Sequence, residues 1–394
     1  MTAADNKRLS VYLVAGEASG DLLGSRLMEA IRAKTPDVEF HGVGGSKMKA
    51  QGLSSLFPFE ELSIFGIAEV ILHIPRIFEL IRETFEDIRS KQPDMVITID
   101  SPGFTFRLAE RLAEHKQTQT IKRVHYVAPT VWAYKPQRAK WVARIFHHML
   151  LLLPFEPPYF EAENLPCTFV GHPVAWEWKQ KGSGDRFRSN HHVSRDCPLL
   201  CMLPGSRKGE LNRLLPIFEQ TVLLLSKKIP GITPVIVAAT AMEAHTRAMC
   251  KSWKITPIIV SESEKKDAFA ASNIALAKSG TVALELPLAG VPTLVTYKVS
   301  AYTAWALKRM LKIKFANLIN LLLDLEVIPE MLQDKCKPDL LAEKLHALYQ
   351  DATIQHMQKT EVQKALAMLG MDDTKSPSEK AADVVLSLLQ PPSR

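Results

Sequence analysis

The sequence predicts an α/β protein of two doubly wound, Rossmann-like domains facing across a cleft, and three observations carry that prediction. Short, predominantly apolar runs recur at 11–15 (VYLVA), 95–99 (MVITI), 199–203 (LLCML) and 274–277 (IALA), with the length and composition of strands buried on both faces of a parallel sheet. Segments of helical period lie between them, which is the alternation of βα units. A breaker, Gly171-His172-Pro173, divides the 394 residues into two series, each long enough for its own core. The expected domains are 1–175, 176–349 and a set of C-terminal helices over 350–394 that can pack back on the first domain.

Composition bounds the class of protein. Forty-six per cent hydrophobic and 23% charged residues describe a globular chain and exclude disordered and fibrous ones. A formal net charge of +7 favours an anionic partner: a nucleotide, a phospholipid surface or a nucleic acid. Cys167, Cys197, Cys201, Cys250 and Cys336 are scattered and form no CxxC, so neither a disulfide framework nor a zinc site is expected, and a reducing cytosol is the simplest home. The polar N-terminus leads straight into a strand, with no signal peptide expected. No uncharged apolar run approaches the ~20 residues of a membrane-spanning helix.

In chain order, 11–15 is a strand ending in Gly16-Glu17-Ala18-Ser19-Gly20-Asp21, and Leu23, Leu27, Ala30 and Ile31 mark the inner face of the helix that follows. This turn is neither GxGxxG nor a P-loop, and the Glu17 carboxylate would repel phosphate. Turn chemistry leaves two equal readings, a functional turn or a tight turn in which Asp21 stabilises the helix start. Residues 40–48 read as a glycine-rich connection after the next strand. Residues 62–89 are apolar with interspersed His73, Arg76 and Arg82; two readings stay open, a core helix broken by Pro75 or a lipid-facing element with basic residues at its rim. The strand 95–99 is so apolar that it belongs at the centre of its sheet. Asp100 follows it, at the strand end where open α/β sheets bind ligands, and reads equally as a catalytic carboxylate or as the cap of the next helix. Residues 124–127 form a strand with an aromatic loop after it, and His125 inside that strand reads as structural. Strands at 149–153 and 167–170 complete the first half.

The second half opens on 199–203, which runs into Pro204-Gly205-Ser206-Arg207 and a helix from Gly209. A strand, a tight glycine turn and a helix start make an anion site, because free N–H groups and the helix dipole point into the loop. Arg207 adds a bidentate donor suited to phosphate oxygens. Strands follow at 235–239, 258–260, 274–277 and 294–297. Ser279-Gly280-Thr281 repeats the turn logic ahead of a helix over 282–289, where Gly280 lets a diphosphate approach the backbone and Glu285 can accept both hydroxyls of a ribose. No Asp-x-Asp stands beside a strand, so Arg207 and the helix ends can neutralise a diphosphate without a metal. After Ala301 the chain reads as helical or irregular.

The motifs occur together and in order: Gly16-Glu17-Ala18-Ser19-Gly20-Asp21, Ile99-Asp100-Ser101-Pro102, the run His125 to Ala133, Pro154-Phe155-Glu156, Gly171-His172-Pro173, Leu203-Pro204-Gly205-Ser206-Arg207 and Ser279-Gly280-Thr281. As a set, over residues 11 to about 340, they resemble the lipid-A-disaccharide synthase family of inverting glycosyltransferases. The resemblance implies a GT-B fold and transfer of 2,3-diacylglucosamine from UDP to the 6-hydroxyl of 2,3-diacylglucosamine 1-phosphate (lipid X). The linkage formed would be β1→6, with no metal at the chemistry, no cofactor and no nucleic-acid partner. It further implies a Gram-negative source, peripheral attachment to the cytoplasmic face of the inner membrane, and a possible homodimer in which C-terminal helices exchange.

Roles follow from the same resemblance. Asp100 is the candidate general base, with Glu17 the alternative; Glu17 and Ser19 face the sugars. Ser206, Arg207, Ser279, Gly280 and Thr281 hold UDP, and Glu285 the ribose. Asn320 and Gln333 correspond to polar family positions. Two competing expectations stand beside this one: another GT-B enzyme, such as a UDP-N-acetylglucosamine epimerase or a peptidoglycan glycosyltransferase, and a non-catalytic lipid- or nucleotide-binding protein.

Overall fold

The computed structural model describes residues 8–63, 70–178, 181–280, 282–300, 304 and 313–390. Two compact units emerge, one of Met1–Pro173 with Asp372–Arg394, the other of Val174–Met371.

The first unit holds a seven-stranded sheet of β1 (Ser10–Ala15), β2 (Glu39–Val43), β3 (Ser54–Ser55), β4 (Met95–Ile99), β5 (Lys122–Tyr126), β6 (His148–Leu151) and β7 (Cys167–Phe169), in spatial order β3-β2-β1-β4-β5-β6-β7. Its strand pairs are parallel. β4 lies in the middle and all five of its residues are buried, as so apolar a run requires, with Thr98 bonded to His125. Strand periodicity divides β1 between two cores. Val11, Leu13 and Ala15 join Leu27 and Ile31 of the helix Ala18–Lys34 together with Ala381 and Val385 of the helix Pro377–Leu389. Tyr12 and Val14 join Leu80, Phe85 and Leu108 from the helices Val70–Lys91 and Pro102–Glu114 on the opposite face.

The second unit repeats the plan with six strands: β8 (Leu199–Leu203), β9 (Thr233–Val237), β10 (Ile258–Val260), β11 (Ile274–Lys278), β12 (Thr293–Tyr297) and β13 (Glu330–Leu332), in order β10-β9-β8-β11-β12-β13, again parallel. Leu200, Met202, Leu276 and Leu294 pack with Leu214 and Phe218 of the helix Lys208–Ser226 and Leu341 and Leu345 of the helix Pro338–Gln350.

Several local expectations are corrected. Residues 40–43 lie in β2, so the glycine-rich connection is shorter than 40–48. Pro75 does not break its helix, which runs unbroken over Val70–Lys91; a proline this near the start removes few hydrogen bonds, and the buried stripe Leu80, Ile81, Phe85 and Ile88 holds the remainder. Residues 64–69 of that segment lie outside the described residues. The stretch after Ala301 contains β13, three residues too short for a periodic signal. After residue 350 the chain divides between the units: Ala352–Met368 packs in the second unit, Gln358 bonding both N–H and C=O of Thr293, while Pro377–Leu389 packs on Ala18–Lys34. The latter helix starts with a full capping box, Ser376 with Glu379, and Lys34 pairs with Asp383 at 2.6 Å.

Candidate active site

Each sheet reverses its strand order once. In the first unit the reversal lies between β1 and β4, in the second between β8 and β11. Open parallel sheets bind ligands beyond the carboxyl ends of the strands flanking such a reversal. The β1 and β4 ends carry Gly16-Glu17 and Asp100; the β8 and β11 ends carry Gly205–Arg207 and Lys278–Gly280.

At the first end the backbone is held in an unfavourable conformation. Asp100 (φ 51°) and Ser101 (φ 48°) are consecutive left-handed residues, and neighbouring Val127, a β-branched residue, has φ 77°. The surroundings fix this: Asp100 N donates to Tyr126 O at 2.9 Å, Thr105 Oγ1 donates to Asp100 O at 2.8 Å, and Val127 N donates to Leu150 O at 3.0 Å. Strain maintained by several bonds clusters at functional sites. The capping alternative for Asp100 does not hold, because the helix Pro102–Glu114 has Ser101 at its N-cap and Asp100 Oδ1 accepts from the adjacent Ser101 N–H, at 2.8 Å. Burial raises the carboxyl above the ordinary aspartate range, partly opposed by that N–H. Gly16 is a glycine because Ser101 lies against it, where a Cβ would collide with the hydroxyl. Glu17, at the N-cap of the helix Ala18–Lys34, and Ser19, in its first turn, are exposed. Asp21 stabilises a different helix from the one expected, accepting from the N–H groups of Gly45, Lys47 and Met48 (2.8, 3.0 and 3.0 Å) at the start of Ser46–Ala50. His125 is fully buried between Phe106 and Phe146, with Nδ1 2.7 Å from Thr98 Oγ1; burial lowers it to about 3, so it stays neutral.

At the second end a cavity of about 270 Å³ opens, lined by Gly205, Ser206, Arg207, Glu210, Glu262, Lys265, Lys278 and Gly280 among others. Arg207 is exposed, while Lys265 and Lys278 are largely covered by the protein and ion-paired, Lys265 to Glu285 at 2.6 Å and Lys278 to Glu210 at 3.0 Å. Arg207, with no ion pair among the described residues, and the two paired lysines supply the donors an anionic ligand would need. Sequence reasoning missed both lysines. Lys278 left a signal, as the single charged residue ending an otherwise apolar strand, whereas nothing local distinguishes Lys265.

The remaining expected residues divide. Ser206, Arg207 and Gly280 line the cavity. Thr281 lies outside the described residues. Ser279 does not line the cavity; its hydroxyl donates to Ala316 O at 2.9 Å. Glu285 stands behind Lys265 as its partner. Gln333 accepts from Val299 N at 3.2 Å. Asn320 is fully buried and every hydrogen-bonding position of its amide is used: Nδ2 donates to Ile328 O (2.7 Å) and Glu330 Oε1 (2.9 Å), and Oδ1 accepts from Val327 N and Ile328 N (both 2.9 Å). In this structure the Asn320 side chain ties its helix to the segment entering β13 and is not among the residues lining the cavity.

The family model for lipid-A-disaccharide synthetase matches residues 11–384. The lipid-A-disaccharide synthase of Rhodospirillum centenum is 42% identical over 385 residues, 97% of this chain and 95% of that one. Among solved structures, a glycotransferase of kitacinnamycin matches with TM-score 0.63 at 12% identity, over 98% of this chain and 100% of that one. A UDP-GlcNAc 2-epimerase from Neisseria meningitidis, bound to UDP-GlcNAc, matches with TM-score 0.59 at 12% identity, over 97% of this chain and 99% of that one. The structural likenesses establish the two-domain GT-B fold. The sequence likeness separates this chain from the epimerases that share it.

Proposed function

The chain belongs to the lipid-A-disaccharide synthase family, and on that basis we propose how this glycosyltransferase carries out its reaction. The donor is UDP-2,3-diacylglucosamine and the acceptor 2,3-diacylglucosamine 1-phosphate. The acceptor 6-hydroxyl attacks the anomeric carbon, its proton passes to Asp100, and the bond to UDP breaks with both electrons leaving on the diphosphate. Direct displacement inverts the centre and gives a β1→6 disaccharide plus UDP. The observation that carries this reading is the family match across residues 11–384, in a chain whose second unit opens a cation-lined cavity at its sheet reversal.

The chemistry agrees with the groups present. A carboxyl raised by desolvation is a stronger base than an exposed one. The leaving diphosphate gains negative charge in the transition state, and Arg207 with the Gly280 amide supplies donors for it. Glu17, exposed just after β1, is the second candidate base.

We further propose that the protein works on the cytoplasmic face of the inner membrane. Among the described residues no helix is long and apolar enough to cross a bilayer. Ile74 and Phe78 are exposed on the helix Val70–Lys91, with the Arg107 guanidinium 5.2 Å from the Phe78 ring centre, while Arg76 between them is paired to Glu61, Glu79 and Glu83. Exposed apolar side chains with a cation at their edge suit a lipid surface, from which both acylated substrates would be drawn.

The test is turnover of UDP-2,3-diacylglucosamine with 2,3-diacylglucosamine 1-phosphate in detergent micelles, followed by mass spectrometry and NMR of the product. A β1→6 disaccharide with UDP released supports the reading. Absence of product, or an α linkage, sinks it.

A further inference from the structure

Within the cavity of the second unit, Glu210 joins two elements. It is the third residue of the helix Lys208–Ser226, where a Glu can reach back to an N–H ahead of the helix, and here it also meets a lysine from β11. Oε2 accepts from Ser206 N at 3.1 Å and Oε1 stands 3.0 Å from Lys278 Nζ. The Lys278 and Glu210 side chains are only 20% and 16% exposed. The chain makes room for this: Gly205 has φ 120°, and a Cβ there would overlap the Glu210 carboxylate.

A planar anion bridging a backbone N–H and an ammonium, in a cavity that Arg207 also lines, has the donor set of a bound phosphate. Lys278 is aimed at this point by two constraints, its place as the last residue of β11 and the Tyr297 ring, whose centre is 5.3 Å from Nζ. We infer that Ser206 N–H and Lys278 form a phosphate seat that the Glu210 carboxylate occupies in the free protein, and that the diphosphate of the donor nucleotide displaces it. The inference rests on the UDP-sugar reading above and adds two residues to it: Lys278 as a phosphate-binding residue, and Glu210 as an internal competitor. Exchange of one anion for another keeps Lys278 paired throughout, so that neither the empty nor the loaded cavity holds an uncompensated ammonium. It also gives selectivity. A nucleoside without phosphates cannot replace the carboxylate, whereas a nucleoside diphosphate can.

The experiment is calorimetric titration of the full chain with UDP, alongside ligand-observed NMR with uridine, for wild type, Glu210→Gln, Lys278→Met, Lys278→Gln and the pair Glu210→Gln/Lys278→Met. Unchanged uridine binding and thermal unfolding identify the variants that keep the fold, and the two Lys278 replacements guard against one of them failing to do so. Glu210→Gln removes the competitor and should tighten UDP about tenfold, while loss of Lys278 should weaken it about tenfold, the scale of one charge-assisted contact. In the pair, the gain from Glu210→Gln should largely vanish, since the released cation is gone. Glu210→Gln that leaves UDP affinity unchanged or lowers it, with uridine binding intact, overturns the stand-in. Lys278 variants that bind UDP as wild type does overturn the seat. Wild type that binds no UDP overturns the nucleotide reading itself, and the two failures are therefore distinguishable.

Discussion

Replacing Asn320 by alanine separates two roles that look alike in an activity assay. The amide makes four hydrogen bonds in a site with no solvent access, two from main-chain N–H groups, one to a carbonyl and one to the Glu330 carboxylate. Alanine leaves those partners buried without it. A buried group left unpaired costs ~1–3 kcal/mol, and relaxation will recover part of the sum, so a loss of about 4 kcal/mol is expected. Glu330 is also committed to Ala316 N (2.8 Å) and Asn317 N (2.9 Å), so the disturbance spreads to the start of the helix Leu318–Leu323. The assay is urea unfolding followed by circular dichroism, with UDP binding measured well below the transition. The expected result is a midpoint far below wild type, with UDP affinity within about twofold where the variant is folded. A variant with the wild-type midpoint that has lost turnover would overturn this account and return Asn320 to the substrate. Asn320→Asp gives a sharper version, since its second oxygen would face the Ile328 carbonyl and the Glu330 carboxylate.

Other outcomes follow from the same geometry. Asp100→Asn should lower kcat by ~10²–10⁴-fold with UDP affinity kept, and undiminished turnover would move the base to Glu17. Because burial raises the Asp100 carboxyl, the base is protonated as pH falls through that raised value, so wild-type kcat should decline on the acid side sooner than an ordinary aspartate would allow; a flat profile down to about pH 4 would contradict this. Glu156 is buried at 3% exposure and pushed up to about 7 by desolvation, against N–H donors that include Leu153 N at 3.0 Å. The folded state therefore holds a proton that the unfolded state releases between about pH 4.5 and 7, and this group's contribution to stability falls as pH rises through that window. Glu156→Gln should be more stable than wild type at about pH 8 by roughly 3 kcal/mol and show no such advantage at about pH 4; equal stability at both pH values would exclude the effect. Phe78→Glu should reduce sedimentation with vesicles containing anionic phospholipid severalfold while leaving UDP binding unchanged, and undiminished sedimentation would remove this helix from the membrane contact.

What can be read from the chain follows the range of the forces involved. β4 and β8 are legible to the residue because five consecutive residues that are apolar or, at Thr98, β-branched, between turn signals, fit little else in an α/β chain. The apolar pattern ends β11 one residue early, since Lys278 looks like a loop residue until its neighbours β8 and β12 are in place. β13 leaves no local mark, because three residues acquire strand geometry only by pairing with β12. Asp21 and Asp100 show the same limit at the level of single side chains. Each is an acidic residue beside a helix start, and local chemistry suggests a cap for both. Asp21 instead caps the later helix Ser46–Ala50, while Asp100 carries a strained backbone and leaves the N-cap position to Ser101.

Local sequence encodes the two series of βα units, the phosphate-suited loops at Gly205–Arg207 and Ser279–Gly280, the order of motifs that marks the family, and Asp100 as the carboxylate at a central strand end. These are consequences of composition and spacing over a few residues, where hydrophobic period and turn chemistry act. Which polar groups face the cavity was settled only when the chain folded. Lys265 and Lys278 were brought to it, Asn320 was closed into the core, and Glu210 was folded back onto Ser206 and Lys278. The physical reason is that a charge or an amide is recruited or satisfied by partners remote along the chain, as Glu210 is by Lys278, and no local pattern encodes such a pairing.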